Sequence, residues 1–577
     1  LSGKQLGEEL HDMTRLEATP ATGMGAGSPR PAVGLSIGQY LIRRLQDYGL
    51  KHVFGVPGDY ILTFYGMLEK SPIEVVGCTR EDCAGFAADA YARINGMGAV
   101  VTTYCVGGLS VCNSIAGAYA EKSPVVVISG SPGMSERVNN PLLHHKVKDF
   151  RTQIEVFEKL CAACAELTDP AVAFREIDRV LDTVARFKRP GYIEIPRDLV
   201  EIVPQIVHTY HHGEAPADPQ VADEAADETA QLLAKAKKPV ILAGVEIHRF
   251  GLQDKVLALA ERYGIPMAAT LLGKSVVPEK HPLYIGLYEG AMGRDEVTQF
   301  VEESDCVLLL GAFMTDLNMG IFTAKLDPAR CIYVTSEQLR IRHHHFHHVP
   351  LDLFLDKLLA RELSIVRRPI PPELRPPQPP FKLEPGAPLT IRRLIALLDE
   401  QIDGETIVIA DIGDALFAAT ELTTHQRTEF ISAAYYTSMG FGTPAALGAL
   451  MARPQSRVLA IIGDGAFQMT GLELSTIVRR GLCPILIVLN NRGYGTERYL
   501  HAGEWKYNDI NPWQYHKLPE VLNGGTGYEV GTEGEFDAAL AKAWNDKSAA
   551  SLINAHIPIG DASDALRRLT ERLSKHV

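Results

Sequence analysis

From Leu35 onward, short runs of branched apolar residues alternate with stretches in which apolar positions recur every three or four residues. The short runs carry no regular polar alternation, as expected of strands covered on both faces, and the longer stretches have helical spacing. A first unit has a helix predicted over 37–48 and strands over 53–56, 75–78, 100–104, 125–129 and 191–196. A second has strands predicted over 240–243, 306–310 and 331–334, with a helix over 254–263. A third has strands over 406–410, 458–462 and 485–489. Alternating strands and helices predict doubly wound α/β domains with parallel sheets. Three such domains are expected, the outer two being candidates for a shared topology.

The expected boundaries are a flexible tail over 1–33, a first domain over 34–205, a middle domain over 206–365, a linker over 366–388 and a third domain over 389–577. The linker is dense in proline from Pro369 to Pro388, which argues against helix or sheet and for an extended spacer. In the tail, Gly23, Gly25 and Gly27 have the spacing of a dinucleotide loop, but no strand precedes them and Pro29 and Pro31 forbid the helix that should follow.

Composition narrows the function. At 577 residues the chain is too long for one core, and 46% apolar with 22% charged residues is ordinary globular usage. A net charge of −13 lacks the basic stripe that nucleic acid requires. No apolar run reaches membrane-spanning length and the start of the chain lacks a secretory pattern, so a cytoplasmic protein is expected. Nine scattered cysteines fit a reducing compartment. Cys161 and Cys164 are expected on one face of a helix over 157–167, as small buried side chains rather than a redox pair. The run His343 to His348 reads as a solvated strand edge, with no Cys, Asp or Glu nearby in sequence to complete a metal site.

The strongest chemical signal is Gly463-Asp464-Gly465, directly after one predicted strand and followed by a helix and a second strand ending at Asn490-Asn491. Both ends of this motif fall at carboxyl ends of strands, where α/β sheets bind ligands. Asp464 offers a hard anionic oxygen and Asn491 a neutral one. With a backbone carbonyl and two phosphate oxygens they suit octahedral magnesium. Gly463 and Gly465 let the backbone approach a diphosphate, whose charge meets peptide N–H groups.

This strand, GDG, helix, strand, NN order resembles the signature of thiamine-diphosphate enzymes. The resemblance implies thiamine diphosphate and Mg2+ as cofactors, with Asp464, Asn491 and the Gly493 carbonyl on the metal. It also implies that Tyr435 to Gly440 anchors the pyrimidine, Met439 wedging the cofactor and the Thr437 carbonyl accepting from its amino group. Gly413, Asp414, Gly463, Gly465, Ala466, Gly495 and Thr496 would line the cofactor. Thiamine chemistry needs a carboxylic acid beside the pyrimidine N1', and Glu81, after a predicted strand and opening a helical run, is the candidate. In this family that acid and the metal site come from different subunits, which implies a homodimer as the smallest active unit; a homotetramer is expected.

Val56-Pro57-Gly58-Asp59-Tyr60, the segment Tyr104 to Ser110, Gly117 to Glu121 and the pair His144-His145 are similar to the pyruvate and indolepyruvate decarboxylase branch. Asp59, His144, His145 and Glu497 match that branch's acid–base set. Such a set can orient a 2-keto acid, donate a proton to the oxygen formed on addition, and protonate the enamine left when carbon dioxide departs. The expected reaction is non-oxidative decarboxylation of a small 2-keto acid to an aldehyde. Ile412, Leu416 and Leu500 at the expected substrate wall favour an apolar side chain larger than methyl. A carboligase of the acetohydroxyacid synthase type and a non-enzymatic thiamine-fold subunit are the alternatives.

Overall fold

The computed structural model describes residues 32–573 apart from 212, 214–216, 376–380, 426–428 and 502. The expected tail thus lies outside the described residues except at its end, where Ala32 is buried and its amide donates to the His208 carbonyl at 2.8 Å.

Three sheets form. The first contains β1 His52–Gly55, β2 Glu74–Gly77, β3 Gly98–Thr102, β4 Val125–Ser131, β5 Ala163–Glu166 and β6 Gly191–Pro196, in the order β2-β1-β3-β4-β6-β5. The middle sheet contains β7 Pro239–Ala243, β8 Met267–Ala269, β9 Tyr284–Leu287, β10 Cys306–Leu310, β11 Cys331–Val334, β12 Leu339–Ile341 and β13 His344–Phe346. The third contains β14 Thr406–Ala410, β15 Glu429–Ile431, β16 Arg457–Gly463, β17 Ile485–Asn490, β18 Thr526–Val530 and β19 Ser551–His556, in the order β15-β14-β16-β17-β19-β18. The two outer sheets are wholly parallel and share one strand order, so the outer domains have the same topology. The middle sheet is parallel from β9 to β11 and closes on an antiparallel edge, β12 and β13. Every residue of β3, β4, β6, β7, β10, β14 and β17 is buried, which explains why these runs carry no regular polar alternation.

In both outer sheets the chain reverses direction between the first strand and the third, β1 and β3 or β14 and β16. That reversal opens a crevice at the carboxyl ends of the strands. The outer domains pack through the helices Glu81–Asn95 and Gly442–Ala452, whose Ala84, Ala87, Ala88, Ala445 and Ala449 share one buried cluster. A Cβ at Gly448 would stand 2.0 Å from the Ala87 carbonyl oxygen, so the helices touch backbone to side-chain-free backbone. Gly448→Val is expected to cost about 3 kcal/mol by overpacking. An unchanged thermal midpoint would contradict this contact.

Two local expectations are corrected and a third, that of the histidine run, is extended. The helix expected around the CxxC pair ends early, with a short helix Thr152–Phe157, Cys161 in the following turn and Cys164 on β5. Alternation at Ala163, Ala165 and Leu167, all buried, is the period of a strand rather than a helix. Both thiols are free, and burial holds that of Cys161 well above its ordinary range. The proline-rich stretch is not wholly extended: Pro372–Leu374 forms a 3₁₀ turn, Leu374 is buried, and Pro388 bridges Thr532. Proline suits the first turn of such a helix because its missing N–H would be unpaired there. The histidine run does supply the edge strand β13, with His344 and His345 exposed, but an acid lies beside it, Glu228 Oε2 at 2.9 Å from His344 Nδ1. The helix Pro219–Lys235 delivers that acid from far away in sequence. Among the described residues no helix is long and apolar enough to cross a membrane.

Candidate active site

The end of β16 runs directly into the helix Asp464–Thr470, and β17 ends at Asn490, so the two halves of the motif emerge side by side. Asp464 is 1% exposed. Its Oδ1 accepts from the Gly465 amide at 2.8 Å and its Oδ2 from the Gly493 amide at 3.1 Å. Burial pushes its carboxyl up to about 6. The Asn491 Oδ1 and Thr496 Oγ1 atoms are buried without a hydrogen-bond partner. Gly493 has φ 147, and a Cβ there would strike the Asn508 carbonyl at 1.9 Å. A Cβ on Gly463 would enter open space. A buried carboxylate and uncommitted oxygens around an open volume are the donor set a hard cation and a diphosphate require, so these residues fit that group.

The open volume is a cavity of about 310 Å³. The structure brings together on its wall Ile412, Gly413, Asp414, Leu416, Thr437, Met439, Gly463, Asp464, Gly465, Ala466, Asn491, Gly493, Gly495, Thr496, Glu497 and Leu500. Thr437 has φ 58, an outlier for a β-branched residue. Its segment is tied down from two domains. Glu121 of the first domain accepts from the Tyr435 and Tyr436 amides at 2.6 and 2.9 Å, and Asn113 Nδ2 donates to Ser438 Oγ at 2.7 Å. Asp411 accepts from the Ile412, Gly440 and Gly442 amides at 2.7, 3.0 and 2.8 Å. Burial raises both carboxyls, Asp411 to about 6, while Arg93 opposes the rise at Glu121.

Sequence reasoning missed Glu121 and Asp411 as positioning residues, as it missed Leu317, Ile391, Phe417, Leu489, Tyr494 and Ile557 on the cavity wall. The one available signal was Asp411 itself, an acid at the end of an apolar run that must find donors once buried. Asp414 lines the cavity, but its carboxylate is committed to Ser563, accepting from the amide at 2.9 Å and from the hydroxyl. That contact anchors the start of the C-terminal helix Asp564–Leu573.

The remaining predicted residues gather at the carboxyl edge of the first sheet. Asp59 follows β1, Glu81 opens the helix after β2, and His144 and His145 lie beyond β4. His144 Nε2 is 2.7 Å from Asp59 Oδ2, and candidate ligand atoms of Asp59, His144 and His145 lie within 4.8 Å of one another. Tyr60 stacks on His144 at 4.9 Å and its hydroxyl donates to the His144 carbonyl at 3.3 Å. His145 has φ 67 and a buried Nδ1 without a partner. Arg197 stands 3.8 Å from Asp59. Glu81 faces Gly107, where a Cβ would lie 3.4 Å from Oε1. None of Asp59, Glu81, His144 and His145 lines the cavity of the third domain. One chain therefore carries two separate groups, an acid–histidine group on the first sheet and a donor-lined cavity on the third.

Two outer α/β domains of one topology around a middle one, with a GDG–NN cavity, define a thiamine-diphosphate enzyme. Residues 35–154, 226–360 and 411–555 match the family models for the thiamine pyrophosphate enzyme N-terminal TPP binding domain, central domain and C-terminal TPP binding domain. The chain is 37% identical to an indole-3-pyruvate decarboxylase of Azospirillum brasilense, over 93% of this chain and 98% of that one. It is 35% identical to an alpha-keto-acid decarboxylase of Mycobacterium avium, over 91% and 94%, and 34% identical to pyruvate decarboxylase isozyme 1 of Saccharomyces cerevisiae, over 92% and 97%. The chain belongs to the thiamine-diphosphate-dependent 2-keto acid decarboxylase family.

Proposed function

We propose that this enzyme converts 2-keto acids with apolar side chains larger than methyl into aldehydes and carbon dioxide, and that each active centre combines the third-domain cavity of one copy with the first-domain acids of a second. The observation that carries the reading is the Asp59–His144–His145 cluster, a set able to deliver protons where an aldehyde must be completed. Its separation from the cavity within one chain supports a homodimer as the smallest active unit, assembled further into a homotetramer.

Asp464, Asn491 and the Gly493 carbonyl would hold Mg2+, with Gly413, Gly463, Gly465, Ala466, Gly495 and Thr496 around the diphosphate. The Thr437 carbonyl and Met439 would fix the pyrimidine. Bound thiamine diphosphate supplies the attacking carbon and the electron sink for the bond that releases carbon dioxide. Glu81 shares a proton with the pyrimidine N1'. Glu497 manages the proton on the oxygen formed on addition. Asp59 orients His144, and the two histidines deliver the proton that completes the aldehyde.

The named relatives act on indole-3-pyruvate, pyruvate and alpha-keto acids, and the apolar wall of Ile412, Leu416 and Leu500 supports acids larger than pyruvate. Nine free cysteines support a reducing, cytoplasmic location, and a net charge of −13 weighs against nucleic acid as a partner. Carbon dioxide release from pyruvate, 2-oxopentanoate, phenylpyruvate and indole-3-pyruvate tests the size preference. A larger acid is expected to exceed pyruvate in kcat/KM by about tenfold. Pyruvate giving the highest value would contradict it.

A further inference from the structure

One turn at the carboxyl edge of the first sheet is bent against its residue type. Cys105, just beyond β3, has φ 49 and ψ −69, and across it the Val106 amide donates to the Tyr104 carbonyl at 2.7 Å. A three-residue γ-turn of positive φ is the rare, strained hand, and glycine takes it freely where cysteine does not. Strain of this kind costs about 1–3 kcal/mol and persists only where the surroundings over-determine it.

A single buried side chain holds it. Gln153, in the helix Thr152–Phe157, is 0% exposed, and its Oε1 accepts from the Cys105 amide at 2.7 Å. A Cβ at Gly108 would stand 2.0 Å from that oxygen, so the side chain also lies against the backbone beyond the turn. Its Nε2 donates to Ser129 Oγ, the Tyr192 hydroxyl and Glu194 Oε2 at 2.9, 2.6 and 3.2 Å, which anchors it to β4 and β6. The turn in its place touches both sets of proposed acid–base groups. Gly107 packs on Glu81, where a Cβ would lie 3.4 Å from Oε1. On the other side the Tyr104 hydroxyl donates to the Phe150 carbonyl at 3.2 Å, and its ring meets Tyr60, which stacks on His144, edge to face at 5.9 Å. Burial pushes the Cys105 thiol up to about 11, with Tyr104 and the Val147 amide acting against the rise, so the thiol lies beside the segment that carries His145.

We propose that Gln153 is a positioning residue: it holds the strained turn at Cys105, and the turn sets where Glu81 and the histidine pair stand. The inference rests on the reading of Glu81, His144 and His145 as the acid–base groups. None of the Gln153 hydrogen bonds reaches them, so it acts through the turn. Without its oxygen the buried Cys105 amide is left unpaired and nothing opposes the strain. The turn then relaxes toward negative φ and draws Gly107 and Tyr104 away from the groups they support.

The test compares the unmodified holoenzyme with Gln153→Met and with Gln153→Met combined with Cys105→Gly, reading kcat, KM, the thermal midpoint and hydrogen–deuterium exchange at C2 of the bound cofactor. Methionine keeps the length of the side chain but offers neither the amide oxygen nor its N–H donors. Gln153→Met is expected to lower kcat and the C2 exchange rate about a hundredfold with KM little changed, the size of effect that misplacing catalytic groups has. In the double variant glycine takes the turn without restraint, and about tenfold of that loss is expected to return. Damage to packing alone would lower the thermal midpoint without such a rescue. Gln153→Met with unmodified kcat and exchange overturns the positioning role, and a double variant no faster than Gln153→Met overturns its route through the turn. Should Gln153→Met fail to fold, Cys105→Val carries the test, because a β-branched residue at that φ opens the turn; unmodified exchange in it overturns the proposal. Glu81→Gln, measured beside them, separates the two levels: exchange at the unmodified rate there would sink the acid–base reading itself, whatever the Gln153 variants do.

Discussion

Glu81→Gln is expected to lower kcat by about a thousandfold, because the amide keeps the volume of the side chain but cannot share a proton with the pyrimidine N1'. Glu81 stands in the first turn of a fifteen-residue helix, and loss of its charge there should cost stability only about 1 kcal/mol or less. The fold should therefore survive while activation of the cofactor does not. Rapid-quench measurement of hydrogen–deuterium exchange at the cofactor C2, with the melting midpoint as control, separates these effects. Exchange at the unmodified rate would remove Glu81 from the proposed role.

Asp464→Ala is expected to weaken magnesium-dependent binding of thiamine diphosphate by about a hundredfold or more, since even indirect metal partners are worth up to that factor. The carboxylate is buried, and its two oxygens each take one backbone amide. Asn491→Ala should have a smaller effect, because it removes a neutral oxygen rather than a charge. Calorimetric titration with thiamine diphosphate and Mg2+ reads both. Unchanged affinity in Asp464→Ala would contradict the metal assignment.

Much of the fold was legible because its strands are buried on both faces. Cys306–Leu310, Cys331–Val334 and Thr406–Ala410 read as uninterrupted apolar runs and form strands over those same residues. The shared topology of the outer domains could only be suspected, because strand order depends on pairings between runs that sequence does not record. Around Cys161 and Cys164 a short run with small residues suited either period, and pairing with β6 decided for the strand. Clustering of the motif residues at Asp464 and Asn491 was legible because each sits at the end of its own strand. Glu121 and Leu317 were not, since each reaches the cavity or its loop from another domain. Asp414 shows the limit of motif reading: it lies on the cavity wall, but its carboxylate bonds Ser563, 149 residues later in the chain, a partner that no motif records.

Glu81→Gln and Asp464→Ala disable different halves of an active centre, so mixing them asks whether the halves come from different copies. The two chains, each inactive alone, are co-expressed with distinct tags, the mixed assembly is isolated with thiamine diphosphate and Mg2+, and aldehyde formation from a 2-keto acid is measured. If each centre joins the first domain of one copy to the third domain of another, every mixed dimer has one of its two centres intact, with about half of normal activity. No recovery in mixed assemblies that bind the cofactor would contradict a centre shared between two copies.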